Sequence, residues 1–269
     1  ESWDEVRKHV LHPLASRAIF KSKMFSANDD ISVNDIMSGN TMVNLDPSFL
    51  EDWIDQEMFD VYSLPLLSHE FCTMLRTIIR KITSIGEETE WTHLSLGRRP
   101  VDLDMIGMGW INDLLFHLII RPISRHLFQD TEIMGGDLDW RHGYVAGYSN
   151  NFSSKTGATR ERLVAHTDDS EVTLNICIGD DFVGGALRFY GLRGTEGEGE
   201  LIDEFDPIPG TALLHAGRHL HEVTTVEEGD RYAYIIWARS WSGARAVSCP
   251  CCWLNRRRGE HCICAPKWN

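Results

Sequence analysis

No run of about 18 consecutive apolar residues occurs in this chain, so no segment has what a membrane-spanning helix needs. The sequence opens at Glu1 without a basic stretch, an apolar core and a small-residue cleavage site, so no secretory signal is visible. Cysteine is scarce in the body of the chain. Of seven, only Cys72 and Cys177 precede residue 249, while Cys249, Cys251, Cys252, Cys262 and Cys264 crowd the end. That distribution excludes a disulfide framework for the fold and predicts a reducing compartment, cytoplasmic or nuclear. Positive charge is the minority sign. Against 40 Asp plus Glu stand 26 Lys plus Arg, a net charge of -14 that disfavours attraction to nucleic acid or to an anionic membrane surface. No internal repeat is evident.

What is present is ordinary globular composition: 269 residues, 42% hydrophobic and 25% charged. Residues 1–56 read as a mixed, acidic lead-in with helix-like pieces around Trp3 to Leu11 and Pro47 to Met58. From Leu67 the apolar positions Phe71, Met74, Leu75, Ile78, Ile79 and Ile82 recur at helical spacing, and Ser68 with Glu70 marks the start. A second apolar helix is predicted near Trp110 to Phe128, kinked or divided at Pro122. After Gly135-Gly136 the texture changes to short β-rich runs: Trp140 to Ser149, Glu171 to Ile178, Ala186 to Tyr190, Thr211 to His215, His221 to Val226 and Tyr232 to Ala238. Six short strands without crossover helices predict an antiparallel sandwich or jelly roll backed by the earlier helices. Gly191 to Glu200, rich in Gly and Glu, reads as a loop.

The strongest constellation is His166-Thr167-Asp168, with His221 53 residues after Asp168 and Arg231 ten residues further on. Two imidazoles and one carboxylate on one face of an octahedral ion leave three positions open, which suits Fe(II) holding a bidentate oxo-acid and then oxygen. Residues two apart project to the same side of an extended segment, so His166 and Asp168 can reach one ion. An arginine in an apolar strand can grip a distal carboxylate through two hydrogen bonds. A lone His or a bare His-x-Asp pair means little; the joint occurrence carries the reading. His215, His219 and His221 compete for the third ligand position, and strand parity does not separate the last two. Gly184-Gly185 is either a tight turn or a place where the backbone passes close to the site. In the tail, Cys249-x-x-Cys252 with Cys262-x-Cys264 has spacing compatible with a tetrahedral zinc site.

Several motifs in order also carry a family resemblance. They are His166-Thr-Asp-Asp-Ser-Glu-Val-Thr-Leu-Asn-Ile, Phe182-Val-Gly-Gly-Ala-Leu-Arg-Phe, Gly210-Thr-Ala-Leu-Leu-His-Ala-Gly-Arg-His-Leu-His-Glu-Val and Gly229-Asp-Arg-Tyr. This set resembles the prolyl and lysyl hydroxylase branch of the 2-oxoglutarate and iron-dependent oxygenases, and within it the 2-oxoglutarate and iron-dependent oxygenase domain-containing protein 2 family. The likeness runs from Phe59 to Cys252. It implies a mainly β fold, a double-stranded β-helix with N-terminal helices. The oxygenase domain would span 57–241 with its core at about 137–240, followed by a Cys-rich tail over 242–269.

The resemblance further implies that iron is bound by His166, Asp168 and His221, the last chosen by its ten-residue spacing to the arginine. Arg231 would bind the far carboxylate of 2-oxoglutarate, with Tyr148 beside it and Thr173 and Asn175 as further cosubstrate candidates. The implied reaction hydroxylates a C–H bond, of a protein side chain by this likeness, while 2-oxoglutarate and O2 give succinate and CO2. Asp168 favours hydroxylation over halogenation, since it fills the position that would otherwise take a halide. A small-molecule or nucleobase oxygenase and a non-catalytic interaction module are the alternatives. Two departures from the family stand out: Ala216 where the lysyl branch usually has Pro, and a longer loop from Asn150 to Arg162. The acidic surface predicts an exposed basic protein segment as substrate, with no membrane partner.

Overall fold

The computed structural model of the chain describes residues 2–21, 25, 31–91, 100–128, 137–150, 160–179, 181–191, 197 and 199–242. Twelve strands are formed among them: β1 (Asp55–Met58), β2 (Val61–Pro65), β3 (Val101–Asp102), β4 (Trp140–Ser149), β5 (Leu163–His166), β6 (Val172–Cys177), β7 (Phe182–Gly184), β8 (Leu187–Tyr190), β9 (Leu201–Phe205), β10 (Thr211–Ala216), β11 (Leu220–Val223) and β12 (Val226–Arg239). A large sheet runs in the order β1-β2-β10-β6-β12-β4-β3, with β7 paired to the start of β12, and a small sheet runs β5-β11-β8-β9. Every pairing is antiparallel. This is the expected double-stranded β-helix.

Strand alternation divides the interior in two. On β12, Tyr232, Tyr234, Ile236 and Ala238 pack into one core, while Ala233 and Ile235 pack into the other. On β6, Val172, Leu174 and Ile176 join the first core, so Thr173, Asn175 and Cys177 face the second side. The first core lies between the large sheet and the helices. The second is closed by the small sheet through Leu187, Phe189 and Val223. Polar side chains of the site therefore stand on a strand whose other face is anchored by several fully buried aliphatic groups, each contributing about 1.5–3 kcal/mol.

The helices brace this sheet from behind. His69–Glu88 begins where the sequence predicts: Ser68 is the N-cap, and its hydroxyl accepts from Phe71 N–H at 3.0 Å. Phe71, Cys72, Leu75 and Ile79 form its buried face. Arg76 donates to the Ile178 carbonyl at 2.7 Å, tying the helix to the end of β6. The second helical run is α-helical over Gly109–Leu115, widens to a π-helix over Phe116–Ile120 and resumes over Arg121–Leu127. Pro122 has no N–H and its ring crowds the carbonyl four residues back, so the distortion falls in the turn before the proline. Asn112 accepts from Tyr234 Oη at 2.6 Å, docking this helix on β12. Its neighbour Gly143 has to be glycine, since a Cβ there would lie 1.9 Å from Asn112 Oδ1.

The expected helix from Pro47 to Met58 is corrected. Asp46 caps a single turn, Pro47–Leu50, and Asp55–Met58 is strand β1. The cause is tertiary: Trp53 is buried and its indole N–H donates to the Pro65 carbonyl at 2.8 Å, drawing the segment alongside β2. Strands β1, β2, β3, β5, β7 and β9 are additional to the six β-rich runs; each is only two to five residues long, and β5 and β9 are largely exposed. Residues 192–196 and 198 of the Gly- and Glu-rich loop lie outside the described residues.

Candidate metal and cosubstrate site

Strand β5 ends in His166, and its antiparallel partner β11 places His221 directly opposite. The two rings lie 4.4 Å apart between centroids. Asp168 follows at a bend pinned by its own N–H, which donates to the Gly217 carbonyl at 2.9 Å. One ligand atom from each of His166, Asp168 and His221 lies within 4.8 Å of the others. His166 Nε2 is 3.5 Å from Asp168 Oδ1, and His221 Nε2 is 3.8 Å from Asp168 Oδ2. Both imidazoles are oriented through Nδ1, which donates to the Val164 carbonyl in His166 and to the His219 carbonyl in His221, each at 2.9 Å. Each Nε2 is then the free lone pair, as a metal ligand requires.

The electrostatics suit a dication. Burial pushes the Asp168 carboxyl up, but His221, His166 and His215 around it outweigh burial and hold it well below the ordinary carboxylate range. Burial lowers the His221 imidazole. For His166 burial acts in the same direction, yet its proximity to Asp168 wins and leaves its pKa raised. The triad is a buried anion with two neutral-capable nitrogens, and the cavity beside it is lined by Tyr144, Tyr148, Arg160, Asn175 and Ile235. Two nitrogens and one oxygen on one side, with open space on the other, fit hexacoordinate Fe(II).

Arg231 stands on β12 facing the second core. It is wholly buried, and its Nε, Nη1 and Nη2 have no hydrogen-bond partner among the described residues. The guanidinium sits 5.1 Å from the centre of the Tyr148 ring. It borders a cavity of about 270 Å³ whose walls include Asn175, Cys177, Leu187 and Leu213. Asn175 and Leu187 also line the space beside the triad, so the metal ligands and the unpaired guanidinium flank a shared region. A buried cation without a partner is expensive unless an anion arrives to meet it. The dicarboxylate 2-oxoglutarate fits that arrangement, one end toward the triad and the other toward Arg231.

The structure sorts the sequence-predicted residues. His166, Asp168 and His221 come together; Tyr148, Asn175 and Arg231 line the adjoining space. Thr173 lines neither cavity and instead donates to Asp168 Oδ2 at 2.7 Å. His219 is outside the cluster, and burial pushes it down to about 4. His215, fully buried and pushed down by burial to about 3, keeps its Nε2 3.9 Å from Asp168 Oδ2. Gly184 ends β7 and Gly185 follows it, with φ of 78° and 70°; a Cβ on Gly185 would lie 2.7 Å from Arg231 Cδ, so the backbone passes close to the anchor here. Tyr144, Arg160, Leu187 and Ile235 escaped the sequence reading. Parity with Tyr148 and Arg231 along their strands would have found Tyr144 and Ile235. Most of the Asn150 to Arg162 loop (151–159) and the candidate zinc ligands Cys249, Cys252, Cys262 and Cys264 lie outside the described residues.

No protein-family model matches the chain. It is 34% identical over 188 residues to the 2-oxoglutarate and iron-dependent oxygenase domain-containing protein CP2 of Arabidopsis thaliana, covering 67% of this chain and 45% of the relative. It is 30% identical over 202 residues to the 2-oxoglutarate and iron-dependent oxygenase domain-containing protein 2 of Xenopus tropicalis, covering 71% of this chain and 52% of that one. The chain thus spans about half the length of these curated relatives. A crystal structure of a Pseudomonas putida prolyl-4-hydroxylase is similar with a TM-score of 0.45 and 15% identity over 70% of this chain and 97% of that one. A jelly roll that brings two histidines and an aspartate together, with a buried arginine beyond them that has no hydrogen-bond partner among the described residues, carries the donor set of two-histidine, one-carboxylate metal proteins. Within that class the chain belongs to the 2-oxoglutarate and iron-dependent oxygenase superfamily.

Proposed function

We propose that this chain is an Fe(II)- and 2-oxoglutarate-dependent hydroxylase, with His166, Asp168 and His221 as iron ligands and Arg231 as the anchor of the cosubstrate's far carboxylate. The observation that carries the reading is the wholly buried Arg231, whose guanidinium has no hydrogen-bond partner among the described residues and borders a cavity adjoining the triad. Bound together, iron and 2-oxoglutarate supply oxygen activation coupled to decarboxylation, chemistry that belongs to the cofactors. The protein's part is positioning. The backbone carbonyls of Val164 and His219 hold the two imidazoles in the tautomer that binds metal. Arg231 fixes the cosubstrate with a planar fork. Burial keeps the Tyr148 phenol protonated, available as a hydrogen-bond donor beside the guanidinium. Leu187 lines both cavities and, with Leu213 on the anchor side and Ile235 on the triad side, supplies the apolar part of their walls.

The substrate is a protein side chain in this proposal. Tyr144 lines the triad cavity, and a row of partly exposed rings leads away from it: Tyr144 to His142 at 5.4 Å, His142 to Trp140 at 6.1 Å, and Trp237 beside Tyr144 at 5.6 Å. Such a shelf suits an extended chain crossing the mouth. A surface groove that shares Val223 with the triad cavity is lined by Glu204, Asp206, Glu222 and Glu227 together with Arg162 and Arg188; Arg188 pairs with Glu204 and Glu222, which leaves Asp206 and Glu227 to meet a basic segment. Residues 57–241 form the catalytic unit in this reading, and 242–269 form a tail in which Cys249, Cys252, Cys262 and Cys264 bind zinc. The test is incubation with Fe(II), ascorbate, 2-oxoglutarate and O2 in extracts of cells lacking the protein. Release of succinate with a protein gaining one oxygen by mass spectrometry is expected; no succinate above the His221→Ala background contradicts the proposal.

A further inference from the structure

The bend between Asp168 and β6 holds a second polar cluster that the ligand set alone does not explain. Thr173 Oγ1 donates to Asp168 Oδ2 at 2.7 Å, and Ser170 Oγ lies 2.7 Å from Thr173 Oγ1. A carboxylate only accepts, so the single hydroxyl proton of Thr173 is committed to Asp168. The proton between the two hydroxyls must then come from Ser170, and the chain runs in one direction, Ser170 to Thr173 to Asp168. All three residues are buried, at 0%, 1% and 4% exposure, so water does not compete. His215 does not substitute for Thr173. Its Nδ1 donates to the Ala216 carbonyl at 3.0 Å, which leaves Nε2 as an acceptor, and that atom is 3.9 Å from Oδ2.

The backbone around the cluster is built to hold it. Gly217 donates to the Glu171 carbonyl at 3.0 Å and accepts from Asp168 N–H at 2.9 Å, bridging both ends of the bend. A Cβ on Gly217 would lie 2.1 Å from the Ser170 carbonyl oxygen and 2.4 Å from Ser170 Oγ. Only glycine at 217 lets Ser170 reach Thr173.

We propose that Thr173, held in place by Ser170, is a positioning residue that occupies Oδ2 of Asp168, presents Oδ1, the oxygen 3.5 Å from His166 Nε2, to the metal as a single-oxygen ligand, and so sets the affinity of the site. This rests on the iron-site reading above. A carboxylate free to rotate would chelate with both oxygens and take up a position that the cosubstrate needs. Partners that orient a metal ligand are worth about ten- to a hundredfold in affinity.

The test uses the full chain and Mn(II) alone, with free Mn(II) followed by its paramagnetic resonance signal and folding followed by thermal melts of the metal-free proteins. Thr173→Val, similar in shape but without the hydroxyl, should weaken Mn(II) binding by about ten- to a hundredfold. Thr173→Ser should restore it, and Ser170→Ala should fall between. An unchanged Kd in Thr173→Val overturns the proposal. So does a Thr173→Ser as defective as Thr173→Val, since packing rather than the hydroxyl would then matter. Failure of the unmutated chain to bind Mn(II) would instead overturn the iron-site reading, and the relay with it.

Discussion

Replacing Arg231 with Met separates the cost of this side chain from its use. The residue is wholly buried, its three guanidinium nitrogens have no hydrogen-bond partner among the described residues, and the Tyr148 ring face lies at 5.1 Å. A buried ion costs several kcal/mol in effective desolvation, and replacing buried charges by apolar groups of similar volume is often neutral or stabilising by about 1–4 kcal/mol. The ligand-free Arg231→Met protein should therefore melt no lower than the unmutated chain. Its affinity for 2-oxoglutarate should drop by about 2–5 kcal/mol, the cost of truncating one partner of a buried charged pair. At about 1.4 kcal/mol per tenfold, that is roughly thirtyfold to several thousandfold. Calorimetric titration of 2-oxoglutarate into Mn(II)-loaded protein reads the affinity directly. Melts give a second reading: 2-oxoglutarate at about 100 times its Kd stabilises the unmutated protein by about 2.7 kcal/mol and should stabilise the variant by about 0.9 kcal/mol or less at the same concentration. Arg231→Lys should fall between, keeping the charge and losing the fork. A variant that melts several degrees lower without ligand, yet binds 2-oxoglutarate as before, would show that Arg231 is structural and that the anchor lies elsewhere.

The glycine pair gives a paired control: Gly184→Ala and Gly185→Ala both force a side chain to positive φ at about 1–2 kcal/mol each, and Gly184→Ala should lose more, since its Cβ would also lie 2.4 Å from the Thr225 carbonyl oxygen. Only Gly185→Ala intrudes on Arg231, so it alone should weaken 2-oxoglutarate binding in the same titration; equal affinities would dissociate the turn from the anchor. His215 and His219 have folded pKa values of about 3 and about 4, below the unfolded 6.5, so the unfolded chain binds more protons in that window and stability falls as pH drops below 6.5. Each should contribute about 1.4 kcal/mol per pH unit of slope, and denaturant titrations of metal-free His215→Gln between pH 6.5 and 4 should show a shallower slope than the unmutated protein. Zinc should co-purify with the full chain in elemental analysis and be lost on removal of residues after Trp241, while the remainder still binds Mn(II); zinc-free, chelator-free protein prepared without oxygen would dispose of the tail site.

What the sequence could disclose follows from how far each interaction reaches. His166 and Asp168 are legible because two-residue spacing in extended chain fixes their common side, and β11 supplies His221 opposite His166. Parity alone left His219 in contention. The structure separates the two histidines through a backbone bond, since the carbonyl of His219 is what orients His221. Thr173 was legible as an inward-facing polar residue, but not as a partner of Asp168, because that contact depends on the bend at Asp169 and Ser170. The contact between Gly185 and Arg231 joins segments far apart in sequence and has no local signature. Trp53 shows the same limit at the level of the fold: its bond to Pro65 turns a helix-like stretch into β1.

An iron centre that takes 2-oxoglutarate is tested most directly by anaerobic spectroscopy. Fe(II) and 2-oxoglutarate added together without oxygen should produce a weak visible metal-to-ligand charge-transfer band, and admitting oxygen should bleach it with release of succinate. Asp168→Ala and His221→Ala should each lose the band and the succinate, because two fixed donors hold a labile divalent ion poorly, and His219→Ala should keep both. A band that survives His221→Ala and disappears in His219→Ala would contradict the ligand assignment, and no band in the iron-loaded unmutated protein would contradict the claim itself.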